Sequence, residues 1–333
     1  NLGLPDKSKP ISLCGDPEAI NALKSSGITH VSMANNHSYD YGEEAALDTI
    51  KNLTFAGISS FGIGNNLSHS RKPIIEEING VRIALLAYNS YLTNGRRIAK
   101  SNSSGIAPLE YKYIKSDIDL IKQNDKDCKI ILSFHWGEEM KNYPSPFQID
   151  LARQLIEDGA NIILGHHPHV IQGVEDYKGG VILYSLGNFC FPKVESPHID
   201  GIGYVQLPKN RESFIFDVTI TQYGIEGYNF TPVIINDNLQ PEIASGNTKS
   251  KILERIRVLS QKVSEKNYND FYKLENEKNR NKNNIIISIF KRLGFVGVLK
   301  RINLMYFRAY LIAIVGSIKE YVHRRNFYSG FTS

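Results

Sequence analysis

Short apolar runs alternate with helical patterns over the first 190 residues, and this alternation limits the possible folds more than any other feature. The runs at 28–33, 81–88, 129–134 and 161–164 have the length and composition of buried strands. Helical stretches lie between them and several end at a glycine, which is a common helix terminator. The pattern is typical of a layered α/β domain.

The pattern changes after about residue 170. Consecutive strand-like segments then follow one another up to residue 235, so we predict a β-rich second half of the same domain, ending near residue 238. Earlier in the chain, Asn79-Gly80 precedes a strand and predicts a β-hairpin turn.

The C-terminal part differs in composition from the body. Residues 251–333 carry 17 Lys and Arg against 6 Asp and Glu, within a chain whose formal net charge is +5. We predict a polar helix at 251–274, followed by apolar segments at 285–290 and 296–321 that basic residues interrupt. The chain is therefore expected to have two parts, a domain at 1–238 and a basic helical tail or subdomain at 239–333.

Composition excludes several classes of protein. At 41% hydrophobic and 22% charged residues the chain is neither fibrous nor disordered, and no run of about 18 apolar residues marks a membrane span. Its three scattered cysteines do not suggest a disulfide framework. No nucleic-acid module is recognisable, so we expect no nucleic-acid partner. For the basic tail three interpretations remain open: an anionic membrane surface, a polyanionic polymer, or a solvated face of a packed helix.

Polar side chains are concentrated directly after three predicted strands. Such positions, beyond the carboxyl ends of strands, are where α/β proteins place their sites. Five of the nine histidines lie there, and imidazole is the commonest metal ligand in proteins. The residues concerned are Asn35, Asn36, His37 and Asp40 after the first strand, His135 and Glu138 after the second, and His166, His167 and His169 after the third.

The segments SSGITHVSMANNHSYDYG, SFHWGEEM and ILGHHPHVIQGVEDYKGGVILYSLGNF resemble the CapA family of capsule-synthesis proteins over roughly residues 1–235. That family is associated with the synthesis or export of poly-γ-glutamate capsules and is similar to calcineurin-like metallophosphoesterases. The resemblance implies a layered α/β/β/α metallophosphoesterase-like sandwich, here with a C-terminal basic helical extension.

The resemblance also implies roles for individual residues. Asn36, His135, His167 and His169 match metal ligands, and His37 matches the histidine that contacts substrate and protonates the leaving group. We expect supporting or substrate-contacting positions for a further set: Asn35, Asp40, Glu138, His166 and Asn188.

The related phosphoesterases use two acidic ligands that lie earlier in the pattern. The first belongs to a strand before residue 1, and Gly3 stands where the second is expected. Neutral histidine and asparagine ligands alone do not balance two divalent charges, so we expect weak or single-metal binding within this chain. The chain opens at Asn1, which leaves both a cell-envelope and a cytoplasmic location open.

These observations lead to one main hypothesis and one alternative. The main hypothesis is a protein of capsule or poly-γ-glutamate biosynthesis or export, acting as a metal-dependent hydrolase of phosphoester type if the acidic ligands exist. It would use a divalent Mn, Fe or Zn ion, and its partners would be an anionic polymer or capsule synthase components. The alternative is a non-catalytic assembly factor whose residues 281–333 bind polymer or an anionic membrane.

Overall fold

The computed structural model describes residues 3–7, 9, 11–93, 97–195, 203–204, 207–277 and 321–329. In these residues the helices are α1 (Ala19–Ser25), α2 (Gly42–Phe55), α3 (Leu67–Ser70), α4 (Tyr111–Asn124), α5 (Pro146–Glu157), α6 (Gly246–Val263), α7 (268–277) and α8 (321–329). The strands are β1 (His30–Ser32), β2 (Ser59–Phe61), β3 (Ile63–Gly64), β4 (Ile74–Ile78), β5 (Val81–Asn89), β6 (Gly105–Ile106), β7 (Lys129–His135), β8 (Ile162–His166), β9 (Val174–Tyr177), β10 (Gly180–Leu183), β11 (Val194–Glu195), β12 (Gly203–Tyr204), β13 (Glu212–Thr221), β14 (Gly224–Ile235) and β15 (Pro241–Ile243).

A six-stranded sheet with the order β4-β5-β7-β8-β10-β9 forms the centre of the fold. Its four inner strands run parallel, and β4 and β9 are antiparallel edge strands. Three of the inner strands, β7, β8 and β10, are buried or half-buried over their whole length, as expected for strands covered on both faces. The parallel arrangement brings the carboxyl ends of β5, β7, β8 and β10 to one edge of the sheet.

The hairpin between β4 and β5 is built as its sequence predicts. Ile78 pairs with Val81 across a two-residue turn. Asn79 and Gly80 both have positive φ, of 51° and 79°. Such turns favour asparagine and glycine because both central residues adopt the left-handed conformation.

The two faces of the central sheet are covered differently. Alternate residues of the strands pack on α4 and α5, and this core includes Leu86, Leu132 and Ile163. The opposite set packs against the antiparallel sheet β13-β14-β15 and against α6, and includes Ile162 and Leu183. Because strand side chains alternate between faces, neighbouring residues in one strand serve two cores. The layered α/β fold predicted from the sequence is confirmed.

The prediction of one helix over 251–274 is wrong, because the chain turns between α6 and α7. Val263, at the end of α6, and Tyr268, at the start of α7, are both buried in the core that α4 and α5 cover. On an uninterrupted helix these two side chains would point about 140° apart, so they could not share one core. The turn resolves this conflict, and the Tyr268 hydroxyl then donates to the carbonyl of Pro144 at 2.6 Å.

The remaining predictions concern the C-terminal part of the chain. The predicted boundary at 238 lies between β14 and β15, which pair within one sheet, and α6 adds Ile252 and Ile256 to the core between the sheets. The division into 1–238 and 239–333 stays a prediction. Of the predicted apolar segments, 285–290 lies outside the described residues, and so does 296–321 apart from its last residue. In the described part of the chain, no helix combines the length and hydropathy that a membrane span requires.

Burial of His323 in α8 generates a testable pH dependence. Its ring packs edge-on against Phe147, and burial is the main cause that lowers the pKa of His323 to about 4. A histidine whose pKa is lowered in the folded state makes its full contribution to stability when the pH is above its unfolded-state pKa of about 6.5. That contribution is lost as the pH falls from about 6.5 towards 4. Between pH 7 and pH 5 this group should reduce the free energy of unfolding by about 2 kcal/mol.

We therefore expect His323→Phe to show a shallower loss of stability between pH 7 and pH 5 than the unmodified chain, measured by urea unfolding at each pH. Tyr321→Phe is the matched control, because Tyr321 is exposed on the same helix and has no proton to gain in this range. An unchanged slope in His323→Phe would show that this imidazole is not held neutral.

Candidate metal centre

The candidate site lies at the carboxyl edge of the central sheet. The last residues of three neighbouring strands pair in register there: Asn89 of β5 with His135 of β7, and His135 with His166 of β8. The three loops that follow these strands therefore begin at the same level of the sheet. Of the three strands that polar residues follow in the sequence, β7 and β8 end at this edge, whereas β1 pairs with β2 in a separate two-stranded sheet.

Asn36 reaches this edge from the loop after β1. Its side-chain oxygen lies 3.0 Å from Nε2 of His135, so the two groups share a hydrogen bond. The loop is held by a local turn, in which the side-chain oxygen of Asn35 accepts from the backbone N–H of His37 at 2.8 Å. Asn36 and His135, far apart in sequence, are thereby placed in contact.

The loop after β8 carries two histidines in an unusual backbone conformation. His167 and His169 have positive φ values of 99° and 59°. For residues other than glycine such conformations cost on the order of 1–3 kcal/mol each and persist where the surroundings enforce them. The ring of His167 lies 4.8 Å from that of His135 and 6.0 Å from that of His169, measured between centroids. The strained loop thus brings three imidazoles together.

Burial keeps these imidazoles neutral. It is the main cause that lowers the pKa of His167 to about 3 and the pKa of His166 to about 4, and in His167 the neighbouring imidazoles add to the shift. Burial likewise lowers the pKa of His135 well below its ordinary value. A neutral imidazole has a nitrogen lone pair and is the form that binds metals. These histidines therefore need no deprotonation near neutral pH before they can act as ligands.

The tautomer of His169 is fixed by Asn188. Nδ1 of His169 lies 2.8 Å from the side-chain oxygen of Asn188, which can only accept, so Nδ1 carries the proton. The side-chain amide of Asn188 donates in turn to the carbonyl of Asn210 at 2.9 Å. Burial lowers the pKa of His169, and its Nε2 keeps the lone pair. Supporting contacts of this kind orient metal-binding histidines.

His37 lies beside this cluster and is oriented by Asp40. Its Nδ1 is 2.6 Å from one carboxylate oxygen of Asp40, which also accepts from the backbone N–H of Leu13 at 2.8 Å. The other carboxylate oxygen pairs with the ammonium group of Lys9, and that group also donates to the carbonyl of Asn36. Asp40 and Lys9 are both buried, and their ion pair supports the backbone turn at Asn36 and His37.

The two neighbouring glutamates after β7 have different surroundings. Glu138 is 59% exposed, and its nearest cation is the ammonium group of Lys141 at 4.0 Å. Glu139 is the one that faces the histidines: a carboxylate oxygen of Glu139 and nitrogens of His167 and His169 all lie within 4.8 Å of one another. The sequence pattern indicated Glu138 and not Glu139, and no pattern around Lys9 indicates that it has a buried partner.

The residues present fit a divalent cation. Nδ1 of His167 is buried and has no hydrogen-bond partner in the structure, although a buried polar atom normally has one. Imidazole nitrogens, an amide oxygen and a carboxylate together suit borderline ions of the first transition row. A buried nitrogen without a hydrogen-bond partner among such donors is typical of a metal ligand.

Comparison with known proteins gives one family. A model of the family described as "Bacterial capsule synthesis protein PGA_cap" matches residues 2–193, more than half of the chain. The chain is 38% identical over 185 residues to the capsule biosynthesis protein CapA of Bacillus anthracis, covering 55% of this chain and 45% of that protein. It is 32% identical over 249 residues to the PGA biosynthesis protein CapA of Bacillus subtilis strain 168, covering 74% and 61%. The chain thus spans about half of each relative's length.

Solved structures with a similar arrangement are more distant in sequence. One is the sulfate thiohydrolase SoxB of Thermus thermophilus, at 11% identity and a TM-score of 0.44, covering 73% of this chain and 38% of that chain. Another is the NAD nucleotidase NadN of Haemophilus influenzae, at 15% identity and a TM-score of 0.38, covering 80% and 54%.

Close packing at Gly165, one residue before His166, generates a prediction. A Cβ at this position would lie 2.0 Å from the carbonyl oxygen of Tyr184 and 2.7 Å from Nε1 of Trp136, which itself donates to that carbonyl at 3.0 Å. Gly165→Ala should therefore lower the free energy of unfolding by about 3 kcal/mol or more. Gly15→Ala is the control, because a Cβ there meets nothing within 4 Å, and it should change stability by less than about 1 kcal/mol. Equal stability of the two variants, measured by chemical denaturation, would contradict the packing described.

Proposed function

The chain belongs to the family of bacterial capsule synthesis proteins, and on this premise we propose that it acts in the biosynthesis or export of an anionic cell-surface polymer of the poly-γ-glutamate type, through a metal-dependent hydrolytic centre. The named relatives supply the class of polymer, because their descriptions refer to capsule and PGA biosynthesis. The centre supplies the class of chemistry. The partners proposed with it are the polymer itself and capsule synthase components.

One observation carries the catalytic part of this proposal. Three imidazoles and an amide oxygen from three separate loops converge at one sheet edge, and the buried Nδ1 of His167 is left without a partner. A purely structural role for these histidines would satisfy that nitrogen with a hydrogen bond. The proposed ligands are Asn36, His135, His167 and His169, and the proposed ion is Mn, Fe or Zn in its divalent form.

A bound divalent ion would supply Lewis acidity and lower the pKa of a water ligand. The protein's own contribution is positional. His37 is held by the contact of its Nδ1 with Asp40, which leaves Nε2 available to give a proton to a leaving group. The ion pair with Lys9 holds the buried carboxylate of Asp40 in place.

Removal of the His167 imidazole tests the centre directly. We expect His167→Ala to lose bound Mn²⁺ or Zn²⁺ in metal analysis of the purified protein, together with any phosphodiesterase activity towards a chromogenic ester. His69→Ala, which removes an exposed histidine in the short helix α3, should change neither quantity. Hydrolysis that persists in His167→Ala after the metal is lost would refute a metal-dependent reaction.

The neutral charge of the proposed ligands also supports the non-catalytic alternative. All four proposed ligands are neutral, which favours a single, weakly held ion and a protein that binds polymer rather than cleaving it. In that case the basic residues in 281–333 provide the electrostatic attraction, to the polymer or to an anionic membrane.

The alternative makes a separate prediction. Replacing Lys291, Arg292, Lys300 and Arg301 by glutamine should weaken binding to poly-γ-glutamate by about tenfold at low salt and remove most of its salt dependence. These substitutions leave α8 in the chain, where Phe327 belongs to the core. Binding measured by fluorescence anisotropy that is unaffected by both salt and substitution would exclude an electrostatic role for the tail.

A further inference from the structure

We propose that Glu139 is the anionic ligand of the candidate centre and completes, with His167 and His169, a two-histidine, one-carboxylate set for a single divalent cation. This inference rests on the proposed metal centre and assigns a residue to it that the sequence pattern did not indicate. It also changes the chemistry of the centre, since Glu139 brings a negative charge to a set of otherwise neutral donors.

The separation of the donor atoms suits one ion. Oxygen and nitrogen ligands lie about 2.0–2.2 Å from ions such as Zn²⁺, so two ligands of one ion are at most about 4.4 Å apart. The candidate atoms of Glu139, His167 and His169 lie within 4.8 Å of one another. A side-chain rotation that closes a few tenths of an ångström brings all three into range.

The backbone holds Glu139 at this distance. The N–H of Met140 donates to the carbonyl of Pro168 at 2.8 Å, which joins the Glu139 loop to the loop of the two histidines. On the other side, the ammonium group of Lys209 donates to the Met140 carbonyl at 3.1 Å. Met140 has a positive φ of 62°, a conformation that these contacts enforce. Glu139 is therefore placed by its neighbours and does not depend on its own side-chain contacts.

Each of the two histidines offers one nitrogen as a ligand atom. Nδ1 of His167 is buried without a partner, in a residue only 8% exposed. His169 donates its Nδ1 proton to Asn188, so Nε2 keeps its lone pair. One nitrogen of each histidine and a carboxylate oxygen of Glu139 thus form a three-atom ligand face, and three protein ligands leave further coordination positions open.

Charge favours the carboxylate as a ligand. A divalent ion surrounded only by neutral, buried donors carries its full charge into a region of low polarity, which is unfavourable. Glu139 halves that charge. A set with two imidazoles prefers first-row transition ions over Mg²⁺ and Ca²⁺, which take oxygen ligands.

Glu138 provides a matched control in the adjacent position. It has the same side chain and formal charge and is exposed like Glu139, but its carboxylate lies 4.0 Å from the ammonium group of Lys141 and outside the cluster with His167 and His169. If the acidic loop attracted cations only through general electrostatics, both variants would bind the cation more weakly. A ligand role for Glu139 predicts a change in one of them only.

The experiment compares Glu139→Gln, Glu138→Gln and His167→Ala in the full chain. Binding of Mn²⁺ and Zn²⁺ is measured by isothermal titration after chelator treatment, and Co²⁺ is added as a spectroscopic probe of ligand number. We expect Glu139→Gln to weaken binding by about 100-fold and to alter the Co²⁺ spectrum, while Glu138→Gln changes the affinity by less than about twofold. Circular dichroism and thermal unfolding of each metal-free variant confirm that it folds.

The outcomes separate this inference from the proposed function. If His167→Ala loses the metal and Glu139→Gln binds it as tightly as the unmodified chain, the centre stands and Glu139 is not a ligand. If both glutamate variants weaken binding equally, the effect is general electrostatics and the ligand assignment is overturned. If none of the three variants changes the affinity, both the inference and the proposed centre fail.

Discussion

The in-register pairing of the parallel strands β5, β7 and β8 fixes where the loops with Glu139, His167 and His169 begin. Asn89, His135 and His166 are paired with one another across the sheet, so the chain leaves each strand at the same level. A slip of one residue in β8 would turn His166 and the loop behind it to the other face of the sheet. Gly165 secures this register, because the carbonyl of Tyr184 occupies the space that a side chain would need. The geometry of the metal centre is thus a consequence of sheet packing.

Burial has two opposite effects on the histidines. It holds His135 and His167 neutral and ready to bind an ion, and it makes an unpaired divalent charge costly in the same place. The unpartnered Nδ1 of His167 would gain a partner from a cation, which favours binding, whereas burial of the ion's charge opposes it. Glu139 supplies the charge that the buried imidazoles lack.

The sequence was sufficient for features that depend on local patterns. Apolar runs located the inner strands, Asn79-Gly80 located the hairpin, and polar residues after strands located the edge at which Asn36, His135 and His167 meet. Features that depend on contacts between distant residues were not accessible. The turn between α6 and α7 follows from the need to bury both Val263 and Tyr268 in one core, which a helical pattern does not show. The choice between Glu138 and Glu139 depends on a hydrogen bond from Met140 to Pro168, after Gly137 has already broken the strand alternation with a φ of 86°.

The loop that carries Glu139 also connects the candidate centre to the C-terminal part of the chain. Lys141 donates to the side-chain oxygen of Asn276 at 3.1 Å, and the Pro144 carbonyl accepts from Tyr268 at 2.6 Å. A few residues further on, Phe147 packs against Phe327 of α8 with the ring centroids 5.5 Å apart. Both described helices that flank the basic segment therefore rest on the region that follows Glu139. A ligand that shifted α7 or α8 would act on this loop, and through Met140 and Pro168 on the carboxylate and the two imidazoles. The helices α7 and α8 and the candidate metal centre at the sheet edge are thus connected through the chain that follows β7.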